Sequence, residues 1–93
     1  MSPSPGTSVR ILFVEDAFDQ ALVVKSFLQS AGGYEVVHSQ DGDQALKLLE
    51  EQEWDLLITD LNLPGTDGFE VIRAAKERDP SIPVLATTGY TGA

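Results

Sequence analysis

The sequence predicts an α/β fold, a doubly wound parallel sheet with helices on its faces. Three observations carry this expectation. Short, β-branched apolar runs recur four times along the chain. Amphipathic stretches of helical length lie between them. Turn residues (Gly32-Gly33, Pro64-Gly65, Asp79-Pro80) punctuate the joins. Apolar strands alternating with amphipathic helices indicate parallel pairing, because each crossover helix must return the chain to the same rim of the sheet.

The elements follow in order. "VRILFV" (Val9–Val14) is a buried strand that ends on the acidic pair Glu15-Asp16. Val23, Val24, Phe27, Leu28 and Ala31 recur at helical spacing and predict one apolar face, with Asp19 as N-cap and Gly32-Gly33 as the stop. "YEVVHS" (Tyr34–Ser39) is a second strand. "DGDQALKLLEEQEW" is a second helix, with Ala45, Leu46 and Leu49 inward. "DLLITD" (Asp55–Asp60) is the third strand. "DGFEVIRAAKERD" is a third helix, with Phe69, Ile72 and Ala75 inward, ended by Pro80. "IPVLATT" (Ile82–Thr88) is the fourth strand. Trp54 is expected in the core. Residues 1–8, rich in Ser, Pro and Gly, read as a flexible leader.

Composition narrows the function. At 93 residues the chain is one domain at most. Fifteen acidic residues against six basic ones give a net charge of −9, which disfavours direct contact with nucleic acid or an anionic membrane. There is no cysteine, so thiolate chemistry and disulfides are excluded. No apolar run approaches the roughly 20 residues of a membrane span, and the N-terminus lacks an apolar signal core. The expected location is the cytoplasm.

In a sheet of this kind the functional crevice lies at the carboxyl ends of the strands. The first strand delivers Glu15 and Asp16 there, the third Asp60, and the fourth Thr87 and Thr88. The second strand delivers His38 and Ser39 but is expected to lie further out. Each Asp or Thr alone reads as the start of an Asx- or ST-turn; together, on three strand ends, they read as a site. His38 reads as a partly exposed strand-end residue, not as a ligand. If the first and third strands are neighbours, Asp16 and Asp60 face each other. Crowded carboxylates repel unless a cation sits among them, and oxygen-only donors favour magnesium. The backbone carbonyl of Asn62 is a further candidate ligand. Asp60 is then a candidate nucleophile toward a phosphoryl group, and Thr88 a candidate hydroxyl partner for that group.

These residues resemble the receiver domain of two-component response regulators, a flavodoxin-like fold. "ILFVEDAFD" resembles the family's first strand with its acidic pair, and "LLITDLNLPGTDG" its phosphoacceptor strand and loop. "DGDQAL" resembles the start of its second helix, and "IPVLATTG" its fourth strand with the switch hydroxyl at Thr88. The resemblance runs from about Val9 to Gly89. It implies phosphate acceptance on Asp60 from a sensor histidine kinase or phosphotransfer protein. It also implies Mg2+ held by Glu15, Asp16, Asp60 and the Asn62 carbonyl, and a signal relayed through Thr88. It implies no enzyme beyond Mg2+-dependent self-phosphorylation and dephosphorylation.

The chain departs from the family pattern in one respect. Family members carry a fifth strand ending in a lysine, and two further helices. The sequence predicts a receiver domain over residues 9–93 that is partial at its C-terminus, without the lysine. Lys25, Lys47 and Lys76 all fall within predicted helices. The expected consequences are slow phosphorylation and a bare apolar edge on the fourth strand, open to homodimerisation. The alternative function is a phosphorylation-independent interaction module that self-associates through that side. A hydrolase of the haloacid dehalogenase type also uses a strand-end Asp. It fits poorly, because position 62 is Asn and the chain is too short for a substrate cap.

Overall fold

A computed structural model of the chain describes residues 9–87. Its elements run β1 (Val9–Val14), α1 (Phe18–Ser30), β2 (Tyr34–Ser39), α2 (Gly42–Glu51), β3 (Leu56–Asp60), α3 (Gly68–Arg78) and β4 (Val84–Thr87). The four strands form one parallel sheet in the order β2-β1-β3-β4. The predicted α/β parallel sheet is therefore present, with β1 and β3 as central neighbours and β2 further out. The expected leader (residues 1–8) and Thr88 lie outside the described residues.

Alternation along the central strands explains the two-sided core. Leu12 and Val14 point to one face and join Ala45 and Leu49 of α2, Leu57 of β3, Val71 and Ala75 of α3, Trp54 and Ile82. Ile11 and Phe13 point to the other face and join Ala21 of α1, Val36 and Ile58. Period-2 geometry on a strand covered on both faces produces this split. Full burial of side chains such as Leu12 and Leu57 contributes about 1.5–3 kcal/mol each.

Three expectations are corrected. First, α1 has Ala17 at its N-cap with no side-chain bond, and Asp19 lies inside the first turn. Its buried stripe is Ala21, with Lys25 and Leu28 half-buried; Val23 is 70% exposed and Phe27 73%. The helix packs beside β2, so its flank toward β3 and β4 has nothing over it among the described residues. Second, Val71, not Phe69, is the buried large side chain of α3's first turn; Phe69 is exposed. Third, β4 starts at Val84. Ser81 and Ile82 donate to Asp79 in a turn, and Pro83 has no N–H to give to the ladder. Ile82 nevertheless remains buried in the core.

Helix ends follow local chemistry where the sequence supplies it. Asp41 Oδ1 accepts from the Gln44 amide at 2.7 Å and Asp67 Oδ1 from the Glu70 amide at 3.0 Å, both as N-caps. After α1, Gly32 and Gly33 adopt φ of 81° and 79°, the left-handed region that makes glycine the preferred stop.

Candidate functional site

The carboxyl ends of β1 and β3 bring three carboxylates together. One ligand oxygen each from Glu15, Asp16 and Asp60 lies within 4.8 Å of the others. Glu15 and Asp60 are buried, at 7% and 3% exposure, while Asp16 is open to solvent. The cause is topological. β1 and β3 are adjacent and parallel, so residues leaving their ends leave on the same rim.

Each acid is held by its local backbone. The Glu15 amide donates to the Ser39 carbonyl at 3.0 Å, extending the β1–β2 ladder by one bond. Its side-chain Oε2 accepts from the Ala17 amide at 3.0 Å. His38 Nε2 lies 2.7 Å from the Glu15 carbonyl oxygen. Asp60 pairs in register with Thr87, and the Leu61 amide donates to the Thr87 carbonyl at 2.7 Å. Asp60 Oδ1 accepts from the Asn62 amide at 2.9 Å, and the buried Thr59 hydroxyl donates to the Asp60 carbonyl at 3.0 Å.

The loop after Asp60 is fixed by close backbone approach. A Cβ on Gly68 would lie 2.2 Å from the Asp60 carbonyl oxygen, and one on Gly42 would lie 1.8 Å from that of Thr66. Gly65 turns the loop with φ of 71°. The Thr66 hydroxyl donates to the Asp43 carboxylate, tying the loop to the first turn of α2. Sequence reasoning missed these glycines. A signal was present: "DG" occurs twice, at 41–42 and 67–68. Each time Asp caps a helix and Gly begins it at a point of contact.

Burial pushes the Glu15 carboxyl above its ordinary range. The Ala17 amide pulls it back, and the charges of Asp60 and Asp16 add to the rise. A cation among these oxygens would reverse that balance. The donor set is all oxygen, with no thiolate or imidazole in it, and it suits a hard ion such as Mg2+. Of the predicted site residues, Glu15, Asp16 and Asp60 converge. Asn62 is adjacent and exposed. Thr87 is exposed at the end of β4.

In a parallel α/β sheet ligands bind at the carboxyl ends of the strands, and an all-oxygen acidic pocket there suits a hard cation. The family profile described as the response regulator receiver domain matches residues 11–93. The response regulator receiver protein CpdR of Brucella abortus is 38% identical over 81 residues, 87% of this chain and 67% of that protein. Sensor protein EvgS of Escherichia coli (strain K12) is 41% identical over 78 residues, 84% of this chain but 6% of its own length. Among solved structures, the receiver domain of a Pseudomonas aeruginosa PAO1 sensor histidine kinase superposes with a TM-score of 0.80 at 30% identity. The match covers 94% of this chain and 73% of that one, which has a magnesium ion coordinated in its active-site cleft.

The chain belongs to the response regulator receiver domain family, with its flavodoxin-like fold, and so to the two-component signalling proteins. Receiver domains are in general phosphoacceptor modules of signalling. No helix among the described residues is long and apolar enough to cross a membrane.

Proposed function

We propose that this chain accepts a phosphoryl group on Asp60, donated by a sensor histidine kinase or phosphotransfer protein in the cytoplasm. The observation that carries the reading is the convergence of Glu15, Asp16 and Asp60 on one rim. In this reading Glu15, Asp16, Asp60 and the Asn62 carbonyl hold Mg2+. The ion, when bound, offsets charge on the oxygens of the group being transferred.

The chain's own contribution is positioning. The Asn62 amide holds Asp60 Oδ1, leaving Oδ2 as the attacking atom. Its electron pair forms the O–P bond while the donor histidine's N–P bond breaks and that nitrogen keeps the pair. The Thr88 hydroxyl then bonds the new phosphoryl group and relays the change outward. Lys25, Lys47 and Lys76 all sit in helices. Residues 9–93 form the receiver unit, with 1–8 as a leader. Incubation with acetyl phosphate and Mg2+ tests the reading. Intact mass is expected to rise by one phosphoryl group in the wild-type chain and not in Asp60→Asn. No adduct on the wild-type chain, or an equal adduct on both, rejects it.

A second reading, homodimerisation without phosphotransfer, draws on one observation. The flank of α1 and the edge strand β4 bound a cleft of about 430 Å3 lined by Phe13, Val24, Phe27, Leu28, Ile58 and Leu85. Leu85 is 56% exposed, and among the described residues β4 stands at the edge of the sheet, where a strand presents unpaired backbone groups to another chain. Sedimentation that stays monomeric at high concentration removes this reading.

A further inference from the structure

Resting on the metal-binding part of the proposed function, we infer that His38 is a positioning residue for the acidic pocket. It acts by donating Nε2–H to the backbone carbonyl of Glu15. His38 lies on β2, directly opposite Phe13 in the β1–β2 register. Its ring packs on the Phe13 ring, with centroids 5.9 Å apart and planes at 42°. Nε2 comes to 2.7 Å from the Glu15 oxygen.

The need for this contact follows from how the neighbouring chain turns away. The last bond of the β1–β2 ladder runs from the Glu15 amide to Ser39. Beyond it, β2 has ended at Ser39, and Asp41, the next residue whose amide could reach β1 in the parallel register, is the N-cap of α2. On the other side, α1 starts at an Ala17 cap with no side-chain bond. The turn Glu15–Ala17, which displays two of the three acids, is tied internally by the Ala17 amide on Glu15 Oε2, but β2 does not continue beside it and Ala17 offers no capping side chain. The His38 ring fills that gap. Together with the Ser39 carbonyl it grips both polar atoms of the Glu15 backbone. Carboxylates that repel one another splay unless the backbone beneath them is held. A group one step behind the ligands that fixes their orientation commonly changes metal affinity ten- to hundred-fold when removed.

Gln and Met are close in length and shape, and only Gln carries a terminal N–H donor. The experiment measures Mg2+ affinity by calorimetry and urea unfolding midpoints without Mg2+, for wild type, His38→Gln and His38→Met. His38→Gln is expected to bind Mg2+ within about two-fold of wild type, and His38→Met about ten-fold more weakly. The cation-free midpoints of the two variants are expected to agree. Equal Mg2+ affinity in His38→Met and wild type overturns the inference. So does a loss in both variants that tracks their stability, since a packing role alone would give that. A further measurement is independent of any variant. Imidazole 15N shifts of the wild-type protein are expected to show the proton on Nε2, and a ring protonated on Nδ1 alone overturns the inference. Absence of Mg2+ binding by the wild-type chain itself is a different failure, that of the functional reading beneath it.

Discussion

Gly68 and Asp60 meet backbone to backbone. A Cβ at Gly68 would stand 2.2 Å from the Asp60 carbonyl oxygen and 2.7 Å from Leu61 Cα. Neither is a side chain that could swing aside. Gly68→Ala gains about 0.5–1 kcal/mol of helix propensity, but the first turn of α3 must lift off the end of β3. Overpacking of this kind costs about 1–3 kcal/mol. The expected result is a net loss of stability of about 1–2 kcal/mol by urea unfolding, with weaker Mg2+ binding because Asp60 sits on the displaced backbone. Gly42→Ala, at 1.8 Å from the Thr66 carbonyl oxygen, is expected to behave alike. A stabilised Gly68→Ala protein would show that the contact relaxes without cost.

The raised Glu15 carboxyl sets a pH dependence. The folded chain holds that proton more tightly than the unfolded chain, whose ordinary value is 4.5. Cation-free stability from this group is therefore fully present below 4.5 and is lost as pH rises through the folded pKa. Lowering the pH from neutral toward 5 should thus raise the contribution of Glu15 to stability. Glu15→Gln should remove that part of the profile and leave the cation-free protein more stable at pH 7. Mg2+ should reverse the trend, since it favours the ionised form. Thermal melts with EDTA and with Mg2+, for wild type and Glu15→Gln, check this. Identical profiles for the two proteins in EDTA would contradict it.

Much of this was legible in the sequence, and the misses share a cause. β1 and β2 were bounded correctly by their β-branched runs, and Trp54 is core as expected. The acidic cluster was legible because parallel topology sends Glu15, Asp16 and Asp60 to one rim regardless of side-chain detail. Of the expected apolar face of α1 only Leu28 packs on the core, whereas on α3 Ile72 and Ala75 pack inward as expected and Phe69 does not. Periodicity reports that an apolar face exists, and packing decides which flank is covered. Phe27 and Phe69 keep the helical spacing yet stay exposed, while small residues, Ala21 and Ala75, make the contacts. Backbone proximity at Gly42 and Gly68 and the reach of His38 depend on tertiary placement, which a one-dimensional pattern does not encode.

Arg10 is the next test, at the opposite end of the sheet. Its guanidinium lies 4.6 Å from the Trp54 ring centroid and donates to the Glu53 carbonyl at 3.0 Å and to the Gln52 side chain. It also pairs with Glu35 at 3.5 Å. The ion pair is partly exposed and contributes about 0–1 kcal/mol. The cation–π contact with the indole contributes about 0.5–2 kcal/mol. Arg10→Ala is expected to cost about 1–2 kcal/mol, with a change in Trp54 fluorescence. Arg10→Lys should recover less than half, because one ammonium cannot reproduce the guanidinium's several directed N–H bonds together with its contact on the indole. High salt should alter the wild-type value little. A strong salt dependence would put the weight on Glu35 instead.

The exposed flank of α1 gives the last prediction. Ile58 is 7% exposed and Phe27 73%, yet both line the same cleft beside β4. Ile58→Ala removes buried methylene groups from the core around Phe13 and Ala21, and it should cost about 2–4 kcal/mol. Phe27→Ser, if the chain is a monomer, removes a ring that mostly contacts water. It should then change stability by no more than about 0.5 kcal/mol. In a dimer that covers the cleft, the same substitution would lower stability in a concentration-dependent way and shift the sedimentation coefficient toward the monomer. With a net charge of −9 on each copy, such a dimer should also tighten as salt screens the repulsion. Unfolding of Phe27→Ser at two protein concentrations, in low and high salt, therefore separates a free apolar flank from a self-associating one. A Phe27→Ser protein as damaged as Ile58→Ala at every concentration would mean that the ring is buried within a single chain.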